Sequence, residues 1–397
     1  MRETSPPVVL CVGPVPPPYF GQAIGMKILL DADEMKGAFR LVHTNTNNMD
    51  KSVLHKVTST ISSLLQCLRI LVVRKPKLTY LMVTRSKFGC VKDLVVIMFS
   101  RFARIPVVVH VRGGDLGIFY GTLGVFARHL VRSAYRRVSL GIALGESLRS
   151  QFDGLLPPER VRVVVNCWQD GECGVLPYRT ERRADRPLRL AFISNVLPSK
   201  GLYDTVRGVA WAIQHGVKLE FRFAGKFLDH DGAIAKLPEF SRENHPARDL
   251  EDCYDRLVGD LGIANHVVRL GGVAGRQKWE LLAETDILLL PIYNPTEGQP
   301  LVAIEAMRAG CVLVCTQCGG LVDIVEDGVT GKVVPPRNPI EIGKAIKWFW
   351  DHPGEVKRIG NANMTRAEGM HSPREHIHRI RAIFDEVLSD SGKTPDG

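Results

Sequence analysis

Short hydrophobic runs alternate with amphipathic stretches along the 397-residue chain. In the first half, runs rich in Val, Ile and Leu predict strands at residues 8–12, 40–43, 78–83, 107–111, 139–143 and 161–165. Residues 52–73 instead carry apolar side chains at helical spacing, which predicts a helix with one apolar face. The apolar positions of this helix are Leu54, Val57, Ile61, Leu64, Leu68 and Leu71.

A second series of runs predicts strands at residues 188–194, 219–224, 267–270, 287–290, 312–315 and 332–334. Strands that alternate with helices are typical of α/β domains with parallel sheets. Residues 176–187 are polar, charged and flanked by proline, which favours a linker. The pattern therefore predicts two Rossmann-like domains. We expect these at 1–175 and 188–370, joined by the linker 176–187 and followed by a closing helix and tail at 371–397.

Two details complete the predicted architecture. Residues 226–250, rich in His, Asp and Pro, indicate an inserted loop with little regular structure, and amphipathic stretches near 340–368 and 373–389 predict closing helices. Ligands of doubly wound domains bind at the carboxyl ends of the strands. Two facing domains therefore predict a ligand cleft between them.

Composition and charge narrow the class of protein. A content of 45% hydrophobic and 24% charged residues is typical of a globular chain. The apolar runs are shorter than the ~18 residues of a membrane-spanning helix, and residues 8–12 are too few for a signal-peptide core, so we expect a cytoplasmic protein. Nine scattered cysteines favour reduced thiols. The net charge of +10 is uneven, because residues 1–185 carry +12 and the remainder −2.

One glutamate lies before and another after the helix start that is predicted to follow the strand at 287–290. Pro300 suits the first turn of a helix, so Glu297 falls in the preceding loop and Glu305 in the second turn. Amides at a helix start bind phosphate or hydroxyl groups, and carboxylates accept strong hydrogen bonds from a sugar. The pair thus favours a sugar or phosphate ligand, although two solvated glutamates are the ordinary alternative.

The run from Glu297 to Gly310, EGQPLVAIEAMRAG, and the run from Gly319 to Gly331, GGLVDIVEDGVTG, resemble family 4 of the glycosyltransferases. The signature of that family is Glu, seven residues, Glu. The resemblance implies a GT-B fold and sugar transfer with retention of anomeric configuration, with neither a cofactor nor a bound metal. It implies that Glu305 holds the donor ribose and Glu297 the donor sugar. The backbone that would hold the sugar and diphosphate belongs to Gly298, Gln299, Pro300 and Leu301.

Other segments extend the resemblance to the remaining candidate residues. In LAFISNVLPSKG, which ends at Gly201, it assigns Lys200 and Asn195 to the donor diphosphate, and many family members carry Arg in place of Asn195. It assigns His110, at the end of a buried strand, to the donor sugar, and Gly21, after the first strand, to the diphosphate. Taken alone, Lys200 would be read as a solvated loop lysine and His110 as a core histidine.

Some sequence patterns superficially suggest metal sites. Cys311, Cys315 and Cys318 have the spacing of a radical iron–sulfur motif, but the first two enclose a predicted buried strand. Asp31 with Asp33 falls on a predicted helix, and Asp229 with Asp231 in the insertion, so solvated positions are favoured for both pairs. We therefore predict no metal site.

The sequence predicts a retaining glycosyltransferase that uses a UDP- or GDP-sugar and a glycan, lipid-linked or small-molecule acceptor, in polysaccharide or glycolipid synthesis. A sugar-nucleotide 2-epimerase of similar fold is one alternative. A basic nucleic-acid-binding module is another, but no nucleic-acid motif is visible and we expect no such partner.

The basic first half also predicts contact with an anionic membrane surface or a lipid-diphosphate acceptor. Dispersed charge that only aids solubility is the alternative. The candidate contacts are Lys51, Lys56, Arg101, Arg104, Arg128, Arg132, Arg136 and Arg137.

Overall fold

The computed structural model describes residues 5–17, 20–47, 53–169, 186–228 and 247–392. The chain divides into two compact units, the first made of Met1–Asn166 with Pro373–Gly397 and the second of Cys167–Ser372. Within these described ranges each unit is built on one sheet of six parallel strands. The predicted α/β class is confirmed, and each predicted strand lies within two residues of its expected bounds.

The sheet of the first unit has the order β2-β1-β3-β4-β5-β6. Its strands are β1 Val8–Gly13, β2 Arg40–Asn45, β3 Leu78–Met82, β4 Val107–His110, β5 Leu140–Ala143 and β6 Val161–Val163. The helices that accompany them are α1 Gly21–Asp31, α2 Asp33–Ala38, α3 Val53–Val73, α4 Lys87–Phe102, α5 Leu116–Gly121 and α6 Val125–Tyr135. A further helix, α13, comes from the end of the chain and spans Pro373–Gly392.

Helices cover both faces of this sheet, because alternate residues of each strand point to opposite sides. One face packs against α3, α4, α5 and α6, and the other against α1, α2 and α13. Strands buried on both faces read as continuous apolar runs, which is why VVVH at Val107–His110 was recognisable from sequence.

The sheet of the second unit has the order β12-β11-β10-β7-β8-β9. Its strands are β7 Leu188–Ile193, β8 Leu219–Ala224, β9 Val267–Gly271, β10 Ile287–Leu290, β11 Val312–Cys315 and β12 Gly331–Val333. Its helices are α7 Leu202–Gln214, α8 Ala247–Asp260, α9 Gly275–Ala283, α10 Leu301–Arg308, α11 Pro339–Asp351 and α12 Pro353–His371. Helices α7, α8 and α11 pack on one face, α9 and α10 on the other, and α12 contributes to both cores.

The structure differs from the predicted elements near the C-terminus. The single helix expected at 340–368 is two helices, α11 and α12, because Pro353 disfavours helical backbone at His352. The closing helix expected at 373–389 is α13. Its apolar side chains, including Ile380 and Phe384, lie in the core of the first unit, so the chain ends on the domain with which it began.

Two other predicted segments lie mostly outside the described residues. The linker at 176–187 is described only at its last two residues, so its position stays a prediction, and Cys167–Gln169 already belong to the second unit. In the insertion at 226–250, residues 229–246 are outside the description. The last four residues of that prediction were wrong, because α8 begins at Ala247.

Candidate functional site

The candidate residues of the second unit follow the carboxyl ends of adjacent strands. The loops after β11, β10, β7 and β8 leave the same edge of the sheet, and the strand order reverses between β10 and β7. Such a switch point opens a crevice between neighbouring loops, which is where ligands of doubly wound sheets bind.

The loop after β7 is fastened to the loop after β10. Residues Pro198–Lys200 form a turn, and Gly201 has a φ of 78°, which glycine adopts without strain. A Cβ at Gly201 would lie 2.3 Å from the carbonyl oxygen of Pro291. The amide of Tyr293 also donates to the carbonyl of Ser199 at 2.9 Å. These contacts fix the backbone that carries Lys200.

The loop between β10 and α10 is shaped by Asn294. Its side-chain oxygen accepts from the amide and the hydroxyl of Thr296, at 2.9 and 2.8 Å, and its carbonyl accepts from the amide of Glu297 at 3.1 Å. Helix α10 begins at Leu301, so Pro300 is the extended residue just before the helix rather than part of its first turn, while Glu297 lies in the preceding loop as predicted. The first turn of a helix presents amides that lack intrahelical acceptors, so this loop brings Glu297 to a helix start suited to an anion.

Lys200 and Glu297 form an ion pair across these two loops. The ammonium of Lys200 lies 2.6 Å from a carboxylate oxygen of Glu297, and each side chain keeps only 16% of its exposure. The sequence assigned these residues to different parts of one ligand, and the structure brings them together directly. A cation and an anion held at one crevice, each partly open to solvent, can bind a phosphate and a sugar hydroxyl respectively.

Two glycines in the loop after β11 contact the backbone of Glu297. The amide of Gly320 donates to the carbonyl of Glu297 at 2.9 Å. Gly319 has a φ of 54°, and a Cβ there would lie 2.3 Å from the same carbonyl oxygen. A Cβ at Gly320 would lie 2.6 Å from the carbonyl oxygen of Gly298. The two glycines therefore allow the backbone after β11 to touch residues 297 and 298.

We expect Gly319→Ala to displace Glu297, so that turnover falls even though the variant remains folded. The left-handed backbone costs a non-glycine residue about 1–2 kcal/mol, and the clash with Glu297 adds to it. Gly328→Ala is the matched control, because Gly328 has a φ of 74° but open space around its Cβ. Equal loss of turnover in both variants, measured beside thermal unfolding, would contradict this role of Gly319.

Glu305 is buried on α10 and is paired with a residue that the sequence analysis missed. It retains 2% of its side-chain exposure, and its carboxylate lies 2.5 Å from the ammonium of Lys278 on α9. Nothing in the sequence distinguished Lys278 from the surface lysines of an amphipathic helix, because 27 positions separate it from Glu305. A buried carboxylate with one cationic partner keeps acceptor positions for further hydrogen bonds.

Asn195 lies at the exposed end of the loop after β7. Its side-chain oxygen accepts from the backbone amide of Lys226 at 3.4 Å, and Lys226 follows β8 and is exposed. Asn195 thus orders the start of the loop after β8. The exposed side chain of Lys226 adds a second lysine, besides Lys200, at this edge of the sheet.

His110 closes β4 in the first unit and is fully buried. Its Nδ1 lies 2.6 Å from the hydroxyl of Tyr80, and its Nε2 is without a hydrogen-bond partner among the residues that the structure describes. Burial lowers the pKa of this imidazole well below its usual range, and Arg112 and His376 lower it further. The ring is therefore neutral at pH 7.

Gly21 is the first residue of α1, in the loop-to-helix junction that follows β1. A Cβ there would meet nothing within 4 Å, so the backbone is open at this point. Gln22, the next residue, donates from its side chain to the carbonyl of Val83 at 3.1 Å, which ties the start of α1 to the end of the neighbouring strand β3.

The metal-like patterns have structural explanations. Cys311 and Cys315 are buried at either end of β11, and the thiol of Cys311 donates to backbone carbonyls. Asp31 ends α1 and Asp33 begins α2, so they do not share the single helix that was expected. Asp229 and Asp231 lie outside the described residues. In the described part of the chain no three His, Cys, Asp or Glu side chains converge as a metal site.

Comparisons with known proteins bear on the second unit most directly. Residues 181–366 match the family described as glycosyl transferases group 1. The MMP α-(1→4)-mannosyltransferase of Mycolicibacterium hassiacum is 27% identical over 136 residues, which cover 34% of this chain and 33% of that protein. The chain thus spans about a third of this relative. The α-D-kanosaminyltransferase of Streptomyces kanamyceticus is 25% identical, with 73% of each protein covered.

Solved structures resemble the chain over nearly its whole length. Anabaena HepE, solved with UDP and glucose, superposes with a TM-score of 0.68 and covers 96% of this chain and all of its own, at 18% identity. The same two-sheet GT-B fold is present in both. Residues 181–366, just under half of the chain, thus match the glycosyl transferases group 1, and the fold of the chain is GT-B.

Proposed function

We propose that this protein transfers a sugar from a nucleoside-diphosphate sugar to an acceptor hydroxyl, with retention of anomeric configuration. The observation that carries the proposal is the Lys200–Glu297 ion pair, held at the start of α10, the same helix that bears Glu305. A diphosphate needs a cation and amides, and a sugar and a ribose need acceptors for their hydroxyls. Lys200, the start of α10, Glu297 and Glu305 are groups of these kinds, and they follow the carboxyl ends of the adjacent strands β7 and β10, which supports the proposal.

The residues then divide by ligand group. Glu305 accepts hydrogen bonds from the donor ribose, and the ammonium of Lys278, 2.5 Å away, holds that carboxylate in place. Lys200, assisted by the backbone of Gly298, Gln299, Pro300 and Leu301, binds the diphosphate. Glu297 binds hydroxyls of the donor sugar. In the first unit, Gly21 binds the diphosphate through its backbone and His110 binds the sugar. The buried, unpartnered Nε2 of His110 supports that last contact.

The chemical step breaks the bond between the anomeric carbon and the diphosphate oxygen. Negative charge then develops on the leaving phosphate, where the Lys200 ammonium stabilises it, while the sugar acquires oxocarbenium character. The acceptor oxygen attacks the same face, and the leaving phosphate takes its proton. Protein groups therefore bind and orient the reactants without a covalent intermediate.

Donor binding must also rearrange the ion pair. Without ligand, Lys200 is 2.6 Å from Glu297, so an incoming diphosphate competes with that carboxylate for the ammonium. Once Lys200 turns to the phosphate, Glu297 becomes available to the sugar. The exchange couples binding of the two halves of the donor.

We propose a UDP- or GDP-sugar as donor and a glycan, lipid-linked or small-molecule acceptor, in polysaccharide or glycolipid synthesis. HepE was solved with UDP and glucose, and two relatives are named for moving mannose and kanosamine, which supports this range of substrates. We further propose that the protein works in the cytoplasm, attached to the inner face of the cell membrane. In the described part of the chain, no helix is both long and apolar enough to cross a membrane.

The transfer reaction tests this proposal. We expect the anomeric configuration of the donor to persist in the glycosidic product, as read by NMR, and we expect EDTA to leave the rate largely unchanged. The reason is that the Lys200 ammonium and backbone amides, rather than a metal ion, bind the diphosphate in this proposal. Inversion at the anomeric carbon, or complete loss of rate under EDTA with rescue by manganese, would count against it.

A sugar-nucleotide 2-epimerase is the enzyme alternative with a similar fold. Incubation with a UDP- or GDP-sugar and no acceptor separates the two activities, because only an epimerase converts the donor into a new sugar nucleotide by itself. Formation of that product without acceptor would replace the transferase proposal.

A further inference from the structure

Three helices of the first unit turn their outer sides to solvent together. Helices α3, α4 and α6 pack on the same face of the sheet, with α4 in contact with both of the others. Their inner sides supply core residues such as Leu71, Ile97 and Val131. Their outer sides therefore form one continuous surface, which we call the α3–α4–α6 face.

Large apolar side chains are exposed along this face. Among the large apolar residues that the structure describes, the most exposed to solvent are Phe102, with 90% of its surface accessible, Val125 with 79% and Phe126 with 76%. The others on these helices are Ile61, Leu65, Val72, Val73, Phe88, Val91, Met98, Phe99 and Leu130. On α4, Phe88, Val91, Met98 and Phe102 are separated by three, seven and four residues, a spacing that places them on one side of the helix as a stripe. A patch of this extent marks an interaction site, because isolated proteins seldom expose one.

The segment that contains these three helices is strongly basic. Residues 53–137 contain 15 lysines and arginines and two aspartates. Both aspartates are neutralised locally, since Asp93 is buried 2.9 Å from the ammonium of Lys92 and Asp115 lies 2.7 Å from Arg85. The exposed basic residues of this segment are Arg69, Arg74, Lys75, Lys77, Lys87, Arg101, Arg104, Arg128, Arg132, Arg136 and Arg137. Among the described residues, no salt bridge includes any of these eleven.

We propose that the α3–α4–α6 face lies in the interface of an anionic lipid bilayer, with Phe102, Val125 and Phe126 inserted among the headgroups and the surrounding arginines on lipid phosphates. Exposed aromatic and aliphatic residues beside lysine and arginine are the composition of helices that lie in a membrane interface. The exposed charged residues of segment 53–137 are all basic, which complements an anionic lipid surface.

The sequence predicted a membrane contact by basic residues of the first half of the chain, and the α3–α4–α6 face gives that contact a specific surface. Of that prediction, Arg101, Arg128 and Arg132 are exposed residues of α4 and α6, and Arg104, Arg136 and Arg137 are exposed directly after these helices end. Lys51 lies outside the described residues, and the side chain of Lys56 is not described. The inference rests on the membrane location put forward in the proposed function, but vesicle binding is measured without donor or acceptor, so its failure is distinguishable from a failure of catalysis.

The test is co-sedimentation of the full chain with phosphatidylcholine vesicles that do or do not contain phosphatidylglycerol. We expect binding to require phosphatidylglycerol and to fall as salt shortens the screening length below about 8 Å. Changing Phe102, Val125 and Phe126 to Ser should lower binding at least about tenfold, because the variant retains the charges but cannot insert. Arg128→Gln with Arg132→Gln and Arg136→Gln should remove the preference for anionic lipid.

The matched control changes exposed apolar residues of the second unit, Val268→Ser, Val329→Ser and Ile340→Ser, and should bind as the native chain does. Thermal unfolding confirms that each variant is folded. Equal binding by both triple variants would overturn insertion at this face. Absence of binding to anionic vesicles at low salt would overturn the proposal, as would a concentration-dependent oligomer, seen by sedimentation velocity, that the Phe102, Val125 and Phe126 variant abolishes.

Discussion

Glu305→Ala should weaken binding of the donor's nucleoside diphosphate and of its free nucleoside by the same factor. The proposed partner of Glu305 is the ribose, which both ligands contain. Hydrogen bonds to a charged group contribute about 1.5–3 kcal/mol, so we expect a loss of about 10- to 150-fold in affinity for each ligand, measured by titration calorimetry.

The design of this experiment must allow for Lys278. Removing a carboxylate that is 2% exposed leaves a partly buried ammonium without its partner, which is destabilising. Glu305→Gln retains an acceptor and keeps the shape of the side chain, so it should fold well and lose less affinity. Glu280→Ala is the control on α9, because its carboxylate is half exposed and pairs with Arg276. Unchanged affinity in folded Glu305 variants would remove the ribose role.

Glu297→Gln should bind the nucleoside diphosphate at least as tightly as the native chain while its turnover with the full donor falls by about 100-fold. In the ligand-free structure Glu297 holds Lys200, so the amide frees the ammonium for phosphate. The same substitution removes the charged acceptor for the sugar, and transition-state contacts of this kind are worth about 10²–10³ in rate. Calorimetry with the diphosphate and steady-state rates measure the two effects separately.

Lys200→Ala completes this comparison. Its affinity loss should be confined to the nucleoside diphosphate, whereas the free nucleoside should bind unchanged, because a lysine acts on the phosphate as a point charge. Lys218→Ala is the control, since Lys218 is an exposed lysine before β8, at the opposite edge of the same sheet. Equal losses for both ligands would exclude Lys200 from phosphate binding.

Sequence reasoning reached the architecture because buried parallel strands leave a strong local signal. Runs such as Ile287–Leu290 and Val312–Cys315 are apolar on both faces, and Pro300 marks a helix start without any tertiary information. The loop position of Glu297 follows from these two facts, and the structure has it there. The helix break at Pro353 was also available from sequence, although an amphipathic pattern on both sides concealed it.

What could not be predicted depends on contacts between distant residues. Lys278 and Glu305 meet only because α9 and α10 pack on the same face of the sheet. The pairing of Lys200 with Glu297 requires the adjacency of β7 and β10, which are separated by about a hundred residues. Strand order is a tertiary property, and hydrophobic periodicity carries no information about it. The exposed apolar residues of α4 were likewise indistinguishable from core positions. Periodicity shows that apolar residues share one side of a helix, but it does not show what that side contacts.

The central claim is that the crevice formed by Lys200, Glu297 and Glu305 binds a nucleoside-diphosphate sugar. Thermal unfolding across a panel of UDP- and GDP-sugars tests it most directly. At a concentration 100 times its dissociation constant, the correct donor should stabilise the native chain by about 2.7 kcal/mol. A variant with both Glu305→Gln and Lys200→Ala should lose this stabilisation. If no sugar nucleotide raises the unfolding temperature, or if the variant responds as the native chain does, the claim is contradicted.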